Sequence, residues 1–198
     1  MTDDREQKAG FPSSVIRPPP ALRSPLGEAG PSVLRHLLFW PVFAAGLILD
    51  LWSKNAVFSW LGSQGRAGFT VIDGFLRLQL VENSGAAFGI AAGQRWLLIA
   101  VSVAAMVVVI AVFLFAGTDR KIIHIALALF AAGVSGNLYD RFFNNGLVRD
   151  FIDVVYWPGR HWPAFNVADS MLCIAVGLLI LSGFSTRQSS QKPAQPQT

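Results

Sequence analysis

The sequence predicts an all-α integral membrane protein with four transmembrane helices and a small, cradle-like extramembrane β-structure between helices one and two. Two observations carry this. Four apolar runs, residues 33–51, 96–115, 122–139 and 164–184, stand out from the chain. Each is close to the roughly 20 residues that cross about 30 Å of hydrocarbon. The second is composition: 53% of the 198 residues are apolar and only 14% are charged, with a mean hydropathy of +0.46. Soluble domains are about one quarter charged, so lipid is the better solvent for this chain. The net charge of +4 is then a matter of membrane topology rather than of nucleic-acid binding.

The two ends read as tails. Residues 1–31 hold six of the eleven prolines, including Pro18, Pro19 and Pro20, with mixed charges and no apolar period. Residues 186–198 are polar and rich in Gln and Pro. Between them, residues 32–185 form one transmembrane domain. The first span contains Pro41, which a membrane helix tolerates. It starts late and is followed by Asp50-Leu51-Trp52-Ser53-Lys54 rather than by a small-x-small cleavage site, so it is not a removed leader. The short connection between helices two and three carries Arg120 and Lys121, the first tail carries Arg5, Lys8, Arg17 and Arg23, and Arg35 stands at the start of the first span. Positive residues favour the cytoplasm, which puts both tails inside.

Two segments then lie outside, about 52–95 and 140–163. In the first, Phe75-Leu76-Arg77-Leu78-Gln79-Leu80 alternates apolar and polar residues, the period of a half-buried strand. In the second, Asn144-Asn145-Gly146 signals a turn and an apolar stretch, 147–157, follows.

This topology gathers the polar residues at one face of the membrane. Asp50 lies near the end of helix one, Asn137 and Asp140 close helix three, and Asn166 and Asp169 open helix four. Asn166 and Asp169 are three apart and share a helix face, as do Asn137 with Asp140, and Asp50 with Lys54 at four. The loop adds Asp150 and Asp153. Ionisable groups at apolar spans are costly and mark a functional site by default. Two carboxylates brought close in a semi-buried site cannot both ionise easily; one keeps a proton, and the pair can act on water as general base and general acid. Other chemistries are poorly served. Cys173 is the one cysteine, and His36, His124 and His161 have no ligand spacing. A small proton-coupled transporter is the rival reading, but it requires a charge near the bilayer midplane; here the mid-helix stretches lack carboxylates. A scaffold subunit needs no carboxylate cluster at all.

The motifs resemble those of the bacterial lipoprotein signal peptidases (signal peptidase II). The matching blocks are Asp50-Leu51-Trp52-Ser53-Lys54, Asn83-Ser84-Gly85-Ala86-Ala87-Phe88-Gly89, Gly136-Asn137-Leu138-Tyr139-Asp140-Arg141, Val148-Arg149-Asp150-Phe151-Ile152 and Phe165-Asn166-Val167-Ala168-Asp169. The resemblance implies an intramembrane aspartyl endopeptidase of the bacterial inner membrane with its site at the outer face. It would act on prolipoproteins bearing a diacylglyceryl cysteine and cut before that residue. By motif, Asp150 and Asp169 are the catalytic pair, with Asp153 the alternative to Asp150. Asn83, Asn137, Arg141 and Asn166 match polar residues lining the family's site, and Asp50 and Lys54 its first polar block. Gly85 and Phe88 belong to the Asn83 block. Asp140 matches an aspartate that the family does not use catalytically. No metal or organic cofactor is implied; the expected partners are substrate and membrane lipids, with no nucleic acid, around a monomer. Two departures stand out: the Arg141–Asp150 spacing is one residue longer than the family pattern, and Arg149 stands where an aliphatic residue is expected.

Overall fold

The computed structural model describes residues 31–86, 89–118 and 120–190. Its elements in chain order are α1 (Pro31–Ser63), β1 (Gly68–Ile72), β2 (Leu76–Asn83), α2 (Arg95–Phe115), α3 (Lys121–Phe143), β3 (Val148–Trp157), β4 (Arg160–His161) and α4 (Val167–Ser190). Most of both expected tails, residues 1–30 and 191–198, and the candidate Phe88 lie outside the described residues.

Polarity is inside out. Ile48, Val107 and Phe115 are 67%, 62% and 83% exposed, while Asp50, Lys54 and Asp140 are at 0%. Water would reverse this pattern; lipid permits it, because apolar surface costs nothing there and charge must be buried and paired. Helices α1, α2 and α3 are long and apolar enough to cross a membrane, and the described apolar stretch of α4, Val167–Gly183, is shorter.

The bundle is organised around α3, which packs against α1, α2 and α4. Its buried face is small: Ala126, Ala128, Ala131, Ala132, Gly133 and Gly136. Without a hydrophobic drive between helices in lipid, small residues are what let backbones approach and gain dispersion contacts. One apolar cluster joins Phe39 of α1, Val109 and Phe113 of α2, and Leu127, Ala128 and Ala131 of α3. Closer to the polar end, Ala132, Ala168 and Met171 join α3 to α4. A Cβ at Gly133 would lie 2.6 Å from the carbonyl oxygen of Ala168, and one at Gly136 would overlap the Asp50 carboxylate. Gly136→Val therefore forces apart two helices and a buried carboxylate. The expected cost is about 3 kcal/mol, at the upper end for overpacking, read as a lowered unfolding midpoint in detergent. Gly177→Ala is the control, since a Cβ there meets nothing within 4 Å; equal midpoints for the two variants would refute this account.

Two expectations are corrected. First, α1 does not stop near residue 51 but runs 33 residues to Ser63, about 50 Å at 1.5 Å per residue. Asp50 and Lys54 look like the end of a span because a charge in lipid is expensive. They pair with each other at 2.7 Å, and the helix continues through them. In the same way α3 reaches Phe143 and includes Asp140 and Arg141. Second, the β-structure is not confined to the connection between helices one and two. It is a four-stranded antiparallel sheet in the order β1-β2-β3-β4, with β3 and β4 supplied by the connection from α3 to α4. The stretch read only as apolar is thus a strand, with Val81 opposite Asp150 and Asn83 opposite Val148. The expected turn precedes it, with Asn145 and Gly146 both at positive φ. Phe165 bridges to Ile152, so the sheet also fixes the entry to α4.

Candidate active site

Residues Asn166 and Asp169 form a reciprocal cap at the start of α4. The Asn166 Oδ1 accepts the Asp169 N–H at 3.0 Å, and Asp169 Oδ2 accepts the Asn166 N–H at 3.1 Å. This box satisfies two amides that a helix start leaves orphaned, and the helix dipole favours the Asp169 charge. Asp169 Oδ1 accepts a 2.8 Å bond from Asn137 Nδ2 on α3. Asp169 is half-buried, whereas Asp150, near the start of β3, is 1% exposed. Asp150 Oδ1 accepts from Asn166 Nδ2 at 2.7 Å and Oδ2 from Asn83 Nδ2 at 3.0 Å.

Two asparagines thus link the carboxylates. Asn166 bonds Asp150 through its side chain and Asp169 through its backbone and cap, while Asn137 bonds Asp169 and accepts from Asn166 at 3.1 Å. Burial pushes the Asp150 carboxyl up to about 6, and the charge of Asp169 adds to the effect; bonds from Asn83 and Asn166 work against it.

Beneath the pair lies a buried charge network. The Lys54 ammonium meets Asp50 Oδ2 at 2.7 Å, Asn137 Oδ1 at 3.0 Å and Asp140 Oδ2 at 3.3 Å. The contact with Asn137 Oδ1 is a hydrogen bond, and the two carboxylates compensate the fully buried ammonium by charge. Asp50 Oδ1 accepts the Ala168 N–H at 2.8 Å, tying α1 to the first turn of α4. On the other side, Arg141 Nη2 donates to the Gly85 carbonyl at 3.0 Å, and the Gly85 N–H donates to Asn83 Oδ1 at 2.8 Å. Arg141 therefore holds the loop that aims Asn83 at Asp150. A Cβ at Gly85 would come within 2.9 Å of the Gly89 backbone, so this turn requires a residue without a side chain.

All described candidates from the sequence except Asp153 join this constellation. The Asp153 carboxylate is held by His161 at 2.8 Å, with Arg77 4.0 Å away, and makes no bond to Asn137 or Asn166. Sequence reasoning missed the contacts of Asn55, His161 and Arg149. The Arg149 side chain does not turn toward Asp150; it grips Asp140. The signal was available, because consecutive strand residues point to opposite faces.

Two carboxylates bridged by asparagines at one end of a bundle of apolar helices are the arrangement that aspartic peptidase chemistry in a membrane calls for. Comparison with known proteins agrees. A family model described as "Signal peptidase (SPase) II" matches residues 42–185, and the chain belongs to that family. It is 36% identical over 182 residues to a lipoprotein signal peptidase of Rhodopirellula baltica, spanning 84% of this chain and 80% of that one. It is 38% identical over 168 residues to one of Neisseria gonorrhoeae, spanning 81% and 98%. A solved structure described as "Bacterial membrane enzyme structure by the in meso method at 2.3 A resolution" superposes with a TM-score of 0.67 at 28% identity, covering 79% of this chain and 93% of that one. The transporter reading finds no support in these matches.

Proposed function

We propose that this peptidase removes the signal peptide of prolipoproteins bearing a diacylglyceryl cysteine, cutting before the lipidated residue, with Asp150 and Asp169 as its catalytic pair. The observation that carries the assignment is the double bridge of Asn137 and Asn166 between these two carboxylates. The names of the similar proteins support the substrate.

In the resting pair one proton is shared. The ionised partner takes a proton from water as that water attacks the scissile carbonyl, and the protonated partner gives one to the departing amine. Asn137, Asn166 and Asn83 hold the carboxylates, Arg141 and Gly85 hold Asn83, and Asp50, Lys54 and Asp140 hold Asn137 and the helix ends. Phe88 and Gly85 border the substrate. The enzyme works as a monomer among membrane lipids, without nucleic acid, metal or organic cofactor. All four helices span the bacterial inner membrane. The cations between α2 and α3, Arg120 and Lys121, support cytoplasmic termini, with the sheet and the carboxylates at the outer face. The tails, 1–31 and 186–198, contribute nothing to catalysis.

The test is cleavage of a purified diacylglyceryl-modified proprotein across pH 5 to 8. A group raised to about 6 is protonated below that value and loses its proton above it. The kcat/KM of the free enzyme therefore falls as pH rises through about 6. The fall in kcat comes at higher pH, because bound substrate excludes water and favours the protonated form. Cleavage elsewhere than before the lipidated cysteine, or a flat kcat/KM profile, would contradict the reading.

A further inference from the structure

Arg149 departs from the family pattern, and each of its polar groups is tied to one of three neighbours, Asp140, Asn55 or Asn166. Its N–H donates to Asp140 Oδ2 at 3.0 Å, and its Nε and Nη2 donate to Asp140 Oδ1 at 3.1 and 2.6 Å. Its Nη1 donates to Asn55 Oδ1 on α1. Its carbonyl oxygen faces Asn166 Nδ2 at 3.4 Å. One residue therefore joins β3 to α3, to α1 and to the cap of α4, immediately before Asp150. The guanidinium is only 15% exposed and Asp140 not at all, so this is a sheltered, charge-assisted grip rather than a surface pair.

Arg149 adds a cation to the buried charge row, beside Lys54 and the buried Arg141. Below the carboxylate pair lie two buried acids, Asp50 and Asp140, and one buried ammonium, Lys54. Arg149 supplies the second cation, giving an alternating row Arg149–Asp140–Lys54–Asp50. With Asp140 served by the guanidinium, Lys54 is free to keep its hydrogen bond to Asn137 Oδ1. Asn137 in turn holds Asp169. Without Arg149, Lys54 is drawn toward Asp140 and away from Asn137.

We propose that Arg149 is a positioning residue for the reaction, acting on Asp150 through the backbone it anchors and on Asp169 through Asp140, Lys54 and Asn137. This rests on the assignment of Asp150 and Asp169 as the catalytic pair. Arg149→Met keeps the length of the stem and removes the charge and the fork. Its kcat falls by about tenfold to a hundredfold, the range for groups that orient catalytic ones, while KM stays within about twofold. Arg149→Lys restores the charge but not the two-pronged geometry, and recovers part of the loss. In Asp140→Asn the partner is already gone, so adding Arg149→Met lowers kcat by less than it does in the wild type.

The measurements use full-length enzyme in detergent, with rates taken per folded protein and unfolding midpoints recorded beside them. A purely structural Arg149 would change the midpoint and the yield but leave kcat per folded enzyme unaltered, and that result overturns the proposal. So does a simple multiplication of the two losses in the double variant. If Arg149→Met does not fold, Arg149→Lys alone decides: wild-type kcat overturns the proposal, and a severalfold loss at constant KM supports it. If neither folds, Arg149 is a folding residue and the proposal fails. Asp150→Asn, run in parallel, tests the underlying assignment separately; substantial cleavage in that variant sinks the catalytic pair whatever Arg149 does.

Discussion

Asp150→Asn and Asp169→Asn each lower kcat by about 10⁴-fold, and the double variant is hardly worse than either alone. Acid and base must act on the same water and the same peptide, so losing one makes the other useless. A factor of that size is about 5.5 kcal/mol of barrier, more than any other change considered for this protein. The fold should survive. Asn at 169 still offers an oxygen to the Asn166 N–H, and Asn at 150 keeps an oxygen for Asn166 or Asn83. Replacing one of two neighbouring carboxylates also relieves the repulsion that helps raise Asp150. Single-turnover cleavage of the lipid-modified proprotein, with thermal unfolding beside it, measures both halves of the statement. Substantial cleavage by the double variant, or an acyl group trapped on any side chain, would rule out a mechanism in which water is the nucleophile.

Lys54→Met produces the largest loss of stability. The ammonium is fully buried and serves Asp50, Asp140 and Asn137 at once. Methionine matches its volume but leaves the Asp50 carboxylate with a single backbone N–H from Ala168 and no cation. Breaking a buried pair by removing one partner costs about 3–5 kcal/mol, a large part of the roughly 5–15 kcal/mol that holds a domain folded. The expected outcome is little folded protein at the wild-type position in size exclusion, and a steep fall in the unfolding midpoint of what remains. Lys54→Met combined with Asp50→Asn removes the orphaned charge and recovers part of the yield. A Lys54→Met protein with a wild-type midpoint would show that the network does not hold the helices together.

Much of this site can be read from short-range pattern. Asn166 and Asp169 are spaced as a helix cap, and Asn137 with Asp140 as neighbours on one helix face, so local geometry alone brings them to helix ends. The apolar runs mark the helices because spanning length and composition are properties of a single segment. What escaped was long-range. The Asn83–Asp150 bond joins residues 67 apart, and the Lys54–Asn137 bond residues 83 apart; no periodicity within one segment encodes either. The pairing of β2 with β3 escaped for the same reason. The full length of α1 was hidden by a sound rule, that charges end spans, which fails where an acid and a base four residues apart neutralise each other.

The origin of the sheet strands bears on how the enzyme comes into being on the ribosome. β2 leaves the exit tunnel long before β3, and α4 comes last. Until residue 150 has emerged, Asn83 has no acid to aim at, and until residue 169 follows, the second acid does not exist. The nascent chain meanwhile carries Asp50 and Lys54 in one helix, one turn apart, so the first segment inserts with its own counterion and can wait for Asn137 and Asp140. With Asp150 and Asp169 as the proposed catalytic pair, a chain stalled or truncated before α4 is proteolytically silent. A peptidase that resides in the same membrane as its own unfinished copies gains from this order: cutting power arrives only with the last helix.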